Sequence, residues 1–339
     1  MNAMSVLNAS SLDFDKATEA EKIASRLREI VGRVMHRRGL VVAISGGIDS
    51  SVCAALSVQA LGRERVFGLL LPEKDSSSES GSRGRLLAEH LGIEHMTHNI
   101  APTLETIGCY RWRDEAIRAI IPDYQPHWKS KLVIAKGREG GFSFFKIVVQ
   151  CDDGSLVEQR LPHKEYLQLV AATNYKQRIR KTIEYFHADR LNYAVVGTPN
   201  RLEYDQGFFV KNGDGSADVK PIAHLYKTQV YALARHLELP DLICNATPTT
   251  DTYSLPQGQD EFYFVLPYQQ MDAALWAYNH GLSAGTLAEY LGLEVGDAEL
   301  IYQEIELKRR GTQYLHARPY LMEEVVINAG ASAMRRKGQ

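Results

Sequence analysis

The sequence has few cysteines, and they lie far apart. Four occur in 339 residues, and none forms a Cys-x-x-Cys pair. They are Cys53, Cys109, Cys151 and Cys244. This spacing favours neither a zinc framework nor a disulfide scaffold. The thiols are therefore interpreted as buried or incidental groups of a protein in a reducing compartment.

Long apolar runs and a surplus of basic residues are also missing. No run approaches the roughly 20 apolar residues that span a bilayer, and the N-terminus has no apolar signal-peptide core. Lys and Arg number 39 against 41 Asp and Glu, and the formal net charge is -2. The sequence thus predicts a cytoplasmic protein with no membrane segment and without bulk electrostatic binding to nucleic acid.

Short apolar strands alternate with helical segments along much of the chain. Residues 40–44, 65–71, 95–100 and 193–197 are predicted strands, and the intervening segments carry apolar residues at helical spacing. Strands that are apolar on both faces and alternate with helices are typical of a parallel sheet covered on both sides. The predicted fold is therefore α/β, with a doubly wound, Rossmann-like open sheet. Ligands of such sheets bind beyond the carboxyl ends of the strands.

One segment departs from this alternation. Residues 138–161 contain two β-prone runs around an Asp153-Gly154 turn, which predicts an inserted β-hairpin. After about residue 265 the pattern becomes helical. The predicted organisation is a flexible N-terminus (1–15), a single domain (16–325) and a flexible tail (326–339).

The loop after the first strand has the composition of a phosphate-binding loop. It reads Ser45-Gly46-Gly47-Ile48-Asp49-Ser50-Ser51 and opens a helix. Its glycines allow close approach to an anion, and the helix start offers unpaired N–H groups. The serines add hydroxyl donors, and Asp49 adds a carboxylate suited to magnesium. A Walker loop is absent from the sequence. The bland alternative is a turn that caps a helix and binds nothing.

This loop resembles the pyrophosphate loop of the ATP pyrophosphatases, which split ATP between its α- and β-phosphates. Later motifs resemble the NAD synthetase members of that group, and the short stretch before the first strand favours the ammonia-dependent type among them. These motifs occupy residues 174–180, 197–203, 207–218, 221–229 and 247–251. The resemblance runs from about residue 20 to 310, interrupted by the hairpin. It implies a fold of the ATP pyrophosphatase type and a carbon–nitrogen ligase activity.

The resemblance also implies roles for individual residues. Asp49 and Lys227 would be catalytic, and Asp49 and Glu203 would hold Mg²⁺, the implied cofactor. ATP would be bound by the loop residues Ser45, Gly46, Gly47, Ile48, Asp49, Ser50 and Ser51, together with Thr198, Lys227 and Thr249. The deamido-NAD substrate would be bound by Arg178, Lys211, Asp218 and Lys308.

The implied reaction has two steps. The nicotinate carboxylate of deamido-NAD attacks the α-phosphate of ATP, which gives an adenylated intermediate and pyrophosphate. Ammonia then displaces AMP and forms the amide of NAD. Larger relatives carry an N-terminal glutaminase domain, whereas about 40 residues precede the first strand here, so no glutaminase domain is expected in this chain. The resemblance further implies a homodimer.

Two alternatives remain open. An amide-forming ATP pyrophosphatase could act on a different carboxylate, because the hairpin is unusual for the short enzymes and Leu307 stands where the family has histidine. A tRNA-modifying or regulatory nucleotide-binding protein is the second alternative. The near-neutral charge and the missing Cys-x-x-Cys pair weigh against it.

Overall fold

Four parallel strands form the central sheet of this computed structural model, which describes residues 7–135, 144–246, 253–255, 258, 263 and 266–325. The strands are β1 (Leu40–Ala43), β2 (Val66–Leu70), β3 (Glu94–Thr97) and β7 (Ala194–Val196). Their order is β3-β2-β1-β7, and each neighbouring pair is parallel. The chain therefore moves outward from β1 to β3 and returns as β7 on the other side of β1.

Helices cover both faces of this sheet because successive strand residues point to opposite sides. Leu40 and Val42 pack in one core cluster, and Val41, Phe67 and Val195 pack in another. The first face is covered by α1 (Lys16–Glu29, continued by a π-helical turn over Ile30–Val34), α2 (Ile48–Leu61), α3 (Ser78–Leu91) and α8 (Lys227–His236). The second is covered by α4 (Ala101–Thr106), α5 (Cys109–Arg118) and α6 (His163–Leu191). The predicted doubly wound α/β fold is confirmed.

The predicted hairpin is part of a larger inserted sheet. β5 (Phe144–Gln150) and β6 (Leu156–Arg160) form the hairpin, and β4 (Lys129–Ala135) pairs antiparallel with β5. The sequence interpretation missed β4. Its signal is the alternation of exposed or half-buried lysines with buried Ser130 and Leu132, which is the period of a half-buried strand.

The inserted sheet packs on the second helical face and on residues 253–255. Leu132 and Ile147 share a cluster with Ile117 of α5, Leu169 of α6 and Tyr253. The backbone N–H of Leu255 donates to the Ser130 carbonyl at 3.1 Å, and the Ser130 N–H donates to Ser254 Oγ at 2.8 Å. The sheet is thus fastened to both α5–α6 and the chain that follows residues 247–252.

Three helices form the predicted helical C-terminal region. They are α10 (Tyr268–Asn279), α11 (Ala284–Leu291) and α12 (Val295–His316), and two short helices precede them in the chain, α7 (Arg201–Gln206) and α9 (Asp241–Cys244). Of the N-terminal segment predicted to be flexible, the structure describes residues 7–15. There Leu7 is buried among α10, α11 and α12, and Asp15 caps α1. In the described part of the chain, no helix has both the length and the apolar character needed to cross a bilayer.

We expect Leu132→Ala to destabilise the protein by about 2–5 kcal/mol, the usual cost of deleting a fully buried leucine side chain. Leu132 is 0% exposed in the core of the inserted sheet. Leu156→Ala in the same sheet is the matched control, because Leu156 is 59% exposed. The free energies of unfolding should be measured by urea denaturation. Equal losses in both variants would contradict the described packing.

Candidate active site

The candidate site lies where the strand order reverses, between the carboxyl ends of β1 and β7. Open α/β sheets bind ligands in the crevice at this switch point, because the two connections leave on opposite sides. The loop of residues 45–51 follows β1, and residues 197–203 follow β7. Both predicted ATP-binding segments therefore meet at one edge of the sheet.

The loop after β1 depends on two glycines. Gly46 has φ +77°, and a Cβ there would lie 2.3 Å from the Ser80 carbonyl oxygen of α3. Gly47 caps α2 in an extended conformation. Arg83 Nε donates to the Gly46 carbonyl at 3.1 Å and ties the loop to α3. The backbone is thus held at the start of α2, where unpaired N–H groups favour an anion.

The loop serines have different surroundings. Ser50 Oγ and Ser51 Oγ donate to the Gly47 carbonyl at 3.1 and 2.8 Å, and both residues are buried. Ser45 is exposed, and its Oγ accepts from the Gly47 N–H at 3.2 Å. Ile48 points into the core. The Ser45 Oγ also lies 3.1 Å from Ser50 Oγ, so all three predicted hydroxyl donors contact other atoms of the loop, and of the three only Ser45 is exposed.

Asp49 is the centre of the charged part of the site. Lys227 Nζ, at the start of α8, donates a short hydrogen bond to Asp49 Oδ2. Asn200 Nδ2 donates to Asp49 Oδ1 at 3.1 Å. The backbone N–H of Asn200 donates to Glu203 Oε2 at 3.1 Å, and Asn200 Oδ1 accepts from the Glu203 N–H at 3.2 Å. One buried asparagine therefore joins the two predicted metal ligands.

The electrostatics of Lys227 favour its charged form. Its side chain is only 3% exposed. Burial alone would lower the pKa of the lysine, but the carboxylates of Asp49 and Glu203 and the hydrogen bond to Asp49 outweigh it, and the pKa is raised. A permanently charged lysine beside an anion-binding loop can neutralise charge that develops on a departing phosphate group.

The donor set fits magnesium bound together with a nucleotide. Asp49 and Glu203 supply two carboxylates, and Mg²⁺ commonly takes one or two carboxylates plus phosphate oxygens and water. Within the described ranges, no group of three or more His, Cys, Asp or Glu side chains could hold a metal by itself. The site therefore suits an ion that arrives with phosphate ligands rather than a metal in an all-protein cage.

The other predicted ATP contacts are only partly visible. Thr198 is half-buried immediately beyond β7, next to Gly197, whose missing side chain leaves room for Ala217 and Lys220. Thr249 lies outside the described residues. Sequence reasoning missed Arg83 and Asn200. Asn200 had a readable signal, because Asn-x-x-Glu before a helix is a capping-box pattern.

The predicted deamido-NAD residues have different hydrogen-bond partners. Arg178 Nε donates to the Lys211 carbonyl at 3.3 Å, so these two are neighbours. Lys211 Nζ donates to the Tyr314 carbonyl at 2.6 Å at the end of α12. Asp218 accepts from the Val195 N–H at 2.7 Å and lies at the edge of β7.

Lys308 donates to the Tyr263 carbonyl at 2.6 Å and pairs with Glu304 at 2.9 Å. Leu307 beside it is largely exposed.

Two clefts border the predicted acceptor residues. One of about 440 Å³ lies between α5 and α6 and is lined by Trp112, Gln168, Tyr175 and Arg178, among others. The second, about 240 Å³, is lined by Lys211, Ser216 and Leu315, among others. Trp112 and Tyr175 stack with centroids 5.6 Å apart. The first cleft thus combines aromatic walls with a cation.

Comparison with known proteins identifies the family. The model of the NAD synthase family matches residues 19–119 and 147–312. The chain belongs to the NAD synthase family. An NH(3)-dependent NAD(+) synthetase of Rhizobium meliloti (strain 1021) is 54% identical over 321 residues, which cover 94% of this chain and 96% of that protein. The family model leaves 120–146 unmatched, the region that contains β4.

Solved structures agree on the fold. An NMN synthetase from Francisella tularensis has a TM-score of 0.62 at 23% identity, covering 91% of this chain and 99% of that one. An NH3-dependent NAD synthetase from Campylobacter jejuni has a TM-score of 0.61 at 21% identity, covering 91% of this chain and 100% of that one. At these identities, the likeness concerns the fold alone.

We expect Gly46→Ala to cost more stability than Gly292→Ala and to weaken ATP binding. Both glycines have positive φ, and the left-handed conformation of Gly292 costs a side chain about 1–2 kcal/mol. A Cβ at Gly46 would also meet the Ser80 carbonyl at 2.3 Å, whereas nothing lies within 4 Å at Gly292. Urea denaturation and ATP titration calorimetry should separate the two variants. Equal destabilisation with unchanged ATP affinity would contradict the described loop.

Proposed function

We propose that this chain catalyses the ATP-dependent amidation of deamido-NAD to NAD with ammonia, and is thus a carbon–nitrogen ligase. The observation that carries the proposal is the charged pair of Lys227 and Asp49 at the phosphate-binding loop, joined through Asn200 to Glu203. Membership of the NAD synthase family and the 54% identity to an NH(3)-dependent NAD(+) synthetase support it.

In this proposal the loop residues position the triphosphate. Ser45 and the first-turn N–H groups of α2 bind phosphate oxygens, while Ser50 and Ser51 keep the loop rigid. Lys227 neutralises charge on the departing pyrophosphate after the nicotinate carboxylate attacks the α-phosphate. Adenylation converts the carboxylate oxygen into a leaving group, so ammonia can displace AMP. The chain contributes positioning and electrostatics, and no general base is assigned.

We also propose Mg²⁺ as the cofactor, with Asp49 and Glu203 as its protein ligands. When bound, the ion would screen the phosphate charges and orient the triphosphate. Lys227 already pairs with Asp49. Asp49 would therefore serve two cations, which its two carboxylate oxygens allow. The homodimer and the cytoplasmic location remain predictions from the sequence.

The acceptor is the least constrained part of the proposal. Arg178 and Lys211 offer cations beside the two clefts, which suits an acceptor with a pyrophosphate and a carboxylate. Nicotinic acid mononucleotide, which carries a phosphate and the same carboxylate, is the second candidate acceptor, because Arg178 and Lys211 could also pair with its anionic groups.

Steady-state pyrophosphate release should require ATP, deamido-NAD and ammonium together, whereas a single-turnover burst should need only ATP and deamido-NAD, because pyrophosphate leaves in the first step. We expect nicotinic acid mononucleotide to replace deamido-NAD poorly and glutamine not to replace ammonium. At fixed total ammonium, the rate should rise with pH, because neutral ammonia is the nucleophile. Initial rates of pyrophosphate release measure all of these. Faster turnover with the mononucleotide than with deamido-NAD would show that the second candidate is the acceptor. Turnover with glutamine at a rate comparable to that with ammonium would contradict the ammonia-dependent assignment.

Asp49→Asn should reduce pyrophosphate release by about 100-fold or more, since it removes the negative charge that faces Lys227 and the nucleotide. The side chain keeps its size, so the fold should persist by circular dichroism. Asp153→Asn, in the exposed turn between β5 and β6, is the matched control. Near-normal turnover in Asp49→Asn would show that Asp49 is not a catalytic residue. A lowered affinity of this variant for Mg²⁺ would support the role of Asp49 as a metal ligand.

A further inference from the structure

We propose that Asp272, on α10, is a positioning residue that holds Lys227 in register with Asp49. The inference rests on the proposed function, because it takes Lys227 to act on the ATP phosphates. It adds a residue that no motif assigned and gives the helical C-terminal region a part in the reaction. Asp272 does not touch the nucleotide in this proposal and acts through the backbone of α8.

The carboxylate of Asp272 meets the first turn of α8. Its Oδ1 accepts from the Lys227 N–H at 3.2 Å, and its Oδ2 accepts from the Thr228 N–H at 2.7 Å. These N–H groups have no acceptor within the helix, and short polar residues at the N-cap usually satisfy them. Here the N-cap residue is Tyr226, and the acceptor comes from 45 residues later in the chain.

Burying a carboxylate costs free energy unless hydrogen bonds and a nearby positive charge compensate for the lost water. Asp272 is 0% exposed, and burial raises the pKa of its carboxyl to about 6, against the N–H groups and Lys227 that lower it. A neutral serine or threonine would cap a helix without burying a charge. A carboxylate behind the first turn also interacts favourably with the helix dipole and with the Lys227 charge, so it fixes both the helix start and its lysine.

The same helix supports the other side of the site. Met271 and Leu275, on either side of Asp272, pack in one cluster with Leu202 of α7, the helix that carries Glu203. α10 therefore contacts the two helices whose side chains converge on Asp49. A shift of α10 would displace Lys227 and Glu203 together.

A double-mutant cycle tests the proposal. Asp272→Asn keeps the shape but turns an amide N–H₂ toward the Lys227 N–H, so we expect kcat to fall about tenfold through misplacement of Lys227, with an unchanged KM for ammonium. In a Lys227→Ala background the same substitution should change kcat by less than about twofold, because its target is gone. An equal fall in both backgrounds would overturn the proposal.

Ser283→Ala is the control for a purely structural effect. Ser283 caps α11 in the same helical region, accepting from the Thr286 N–H at 3.1 Å. It should lower the melting temperature without changing kcat. If Asp272→Asn does not fold, Asp272→Glu, which keeps both acceptor oxygens, enters the cycle in its place. If kcat falls in proportion to the loss of stability in both the Asp272 and the Ser283 variants, the proposal that Asp272 positions Lys227 is refuted.

Equilibrium ATP binding separates this proposal from the proposed function. If the wild type releases no pyrophosphate with ATP, deamido-NAD and ammonium, the proposed function fails. The double-mutant cycle of Asp272 and Lys227 is then evaluated from ATP affinities instead of kcat. Coupled losses of ATP affinity for Lys227 and Asp272 would then still support positioning. If the wild type is active but the Lys227 and Asp272 substitutions lower ATP affinity independently of each other, the positioning role of Asp272 is overturned and the proposed function stands.

Discussion

A buried lysine held against a carboxylate, Lys227 against Asp49, is the interaction on which the site depends. Removing both charges from water is expensive, and their attraction offsets that cost only with good geometry and further hydrogen bonds. The structure supplies them through Asn200 on Asp49 and through Glu203 near the lysine. Because the pair tolerates little displacement, α2, α7 and α8 must keep fixed relative positions. The rest of the fold can be understood as meeting that requirement.

The parts of the site that follow from local sequence were predictable. A strand followed by Ser45-Gly46-Gly47 specifies its own turn, because Gly46 needs a positive φ and a close approach to Ser80. The sheet was predictable for a similar reason, since apolar runs of strand length need cover on both faces. The family resemblance selected Lys227, but no local pattern pairs it with Asp49, 178 residues away.

What the sequence could not specify depends on long-range contacts or on competition among donors. Ser50 and Ser51 look like phosphate donors by composition, yet both hydroxyls donate to Gly47 and leave Ser45 exposed. Asp272 had no signal, since its partners lie on another helix. β4 had a weak one, because its buried face begins with a serine that hydrogen-bonds to residues 254 and 255.

The two halves of the proposed reaction are built differently, and this bears on acceptor choice. In the proposal, the ATP half uses the loops that follow β1 and β7, together with Lys227 at the start of α8. The acceptor half would rely on Lys211 and Lys308, whose ammonium groups donate to carbonyls of Tyr314 and Tyr263. The end of α12 carries a partial negative charge that attracts Lys211. A phosphate or carboxylate would attract these ammonium groups more strongly than a neutral carbonyl does, because both partners of the hydrogen bond are then charged. In the proposal, Lys211 and Lys308 therefore favour an acceptor that carries anionic groups.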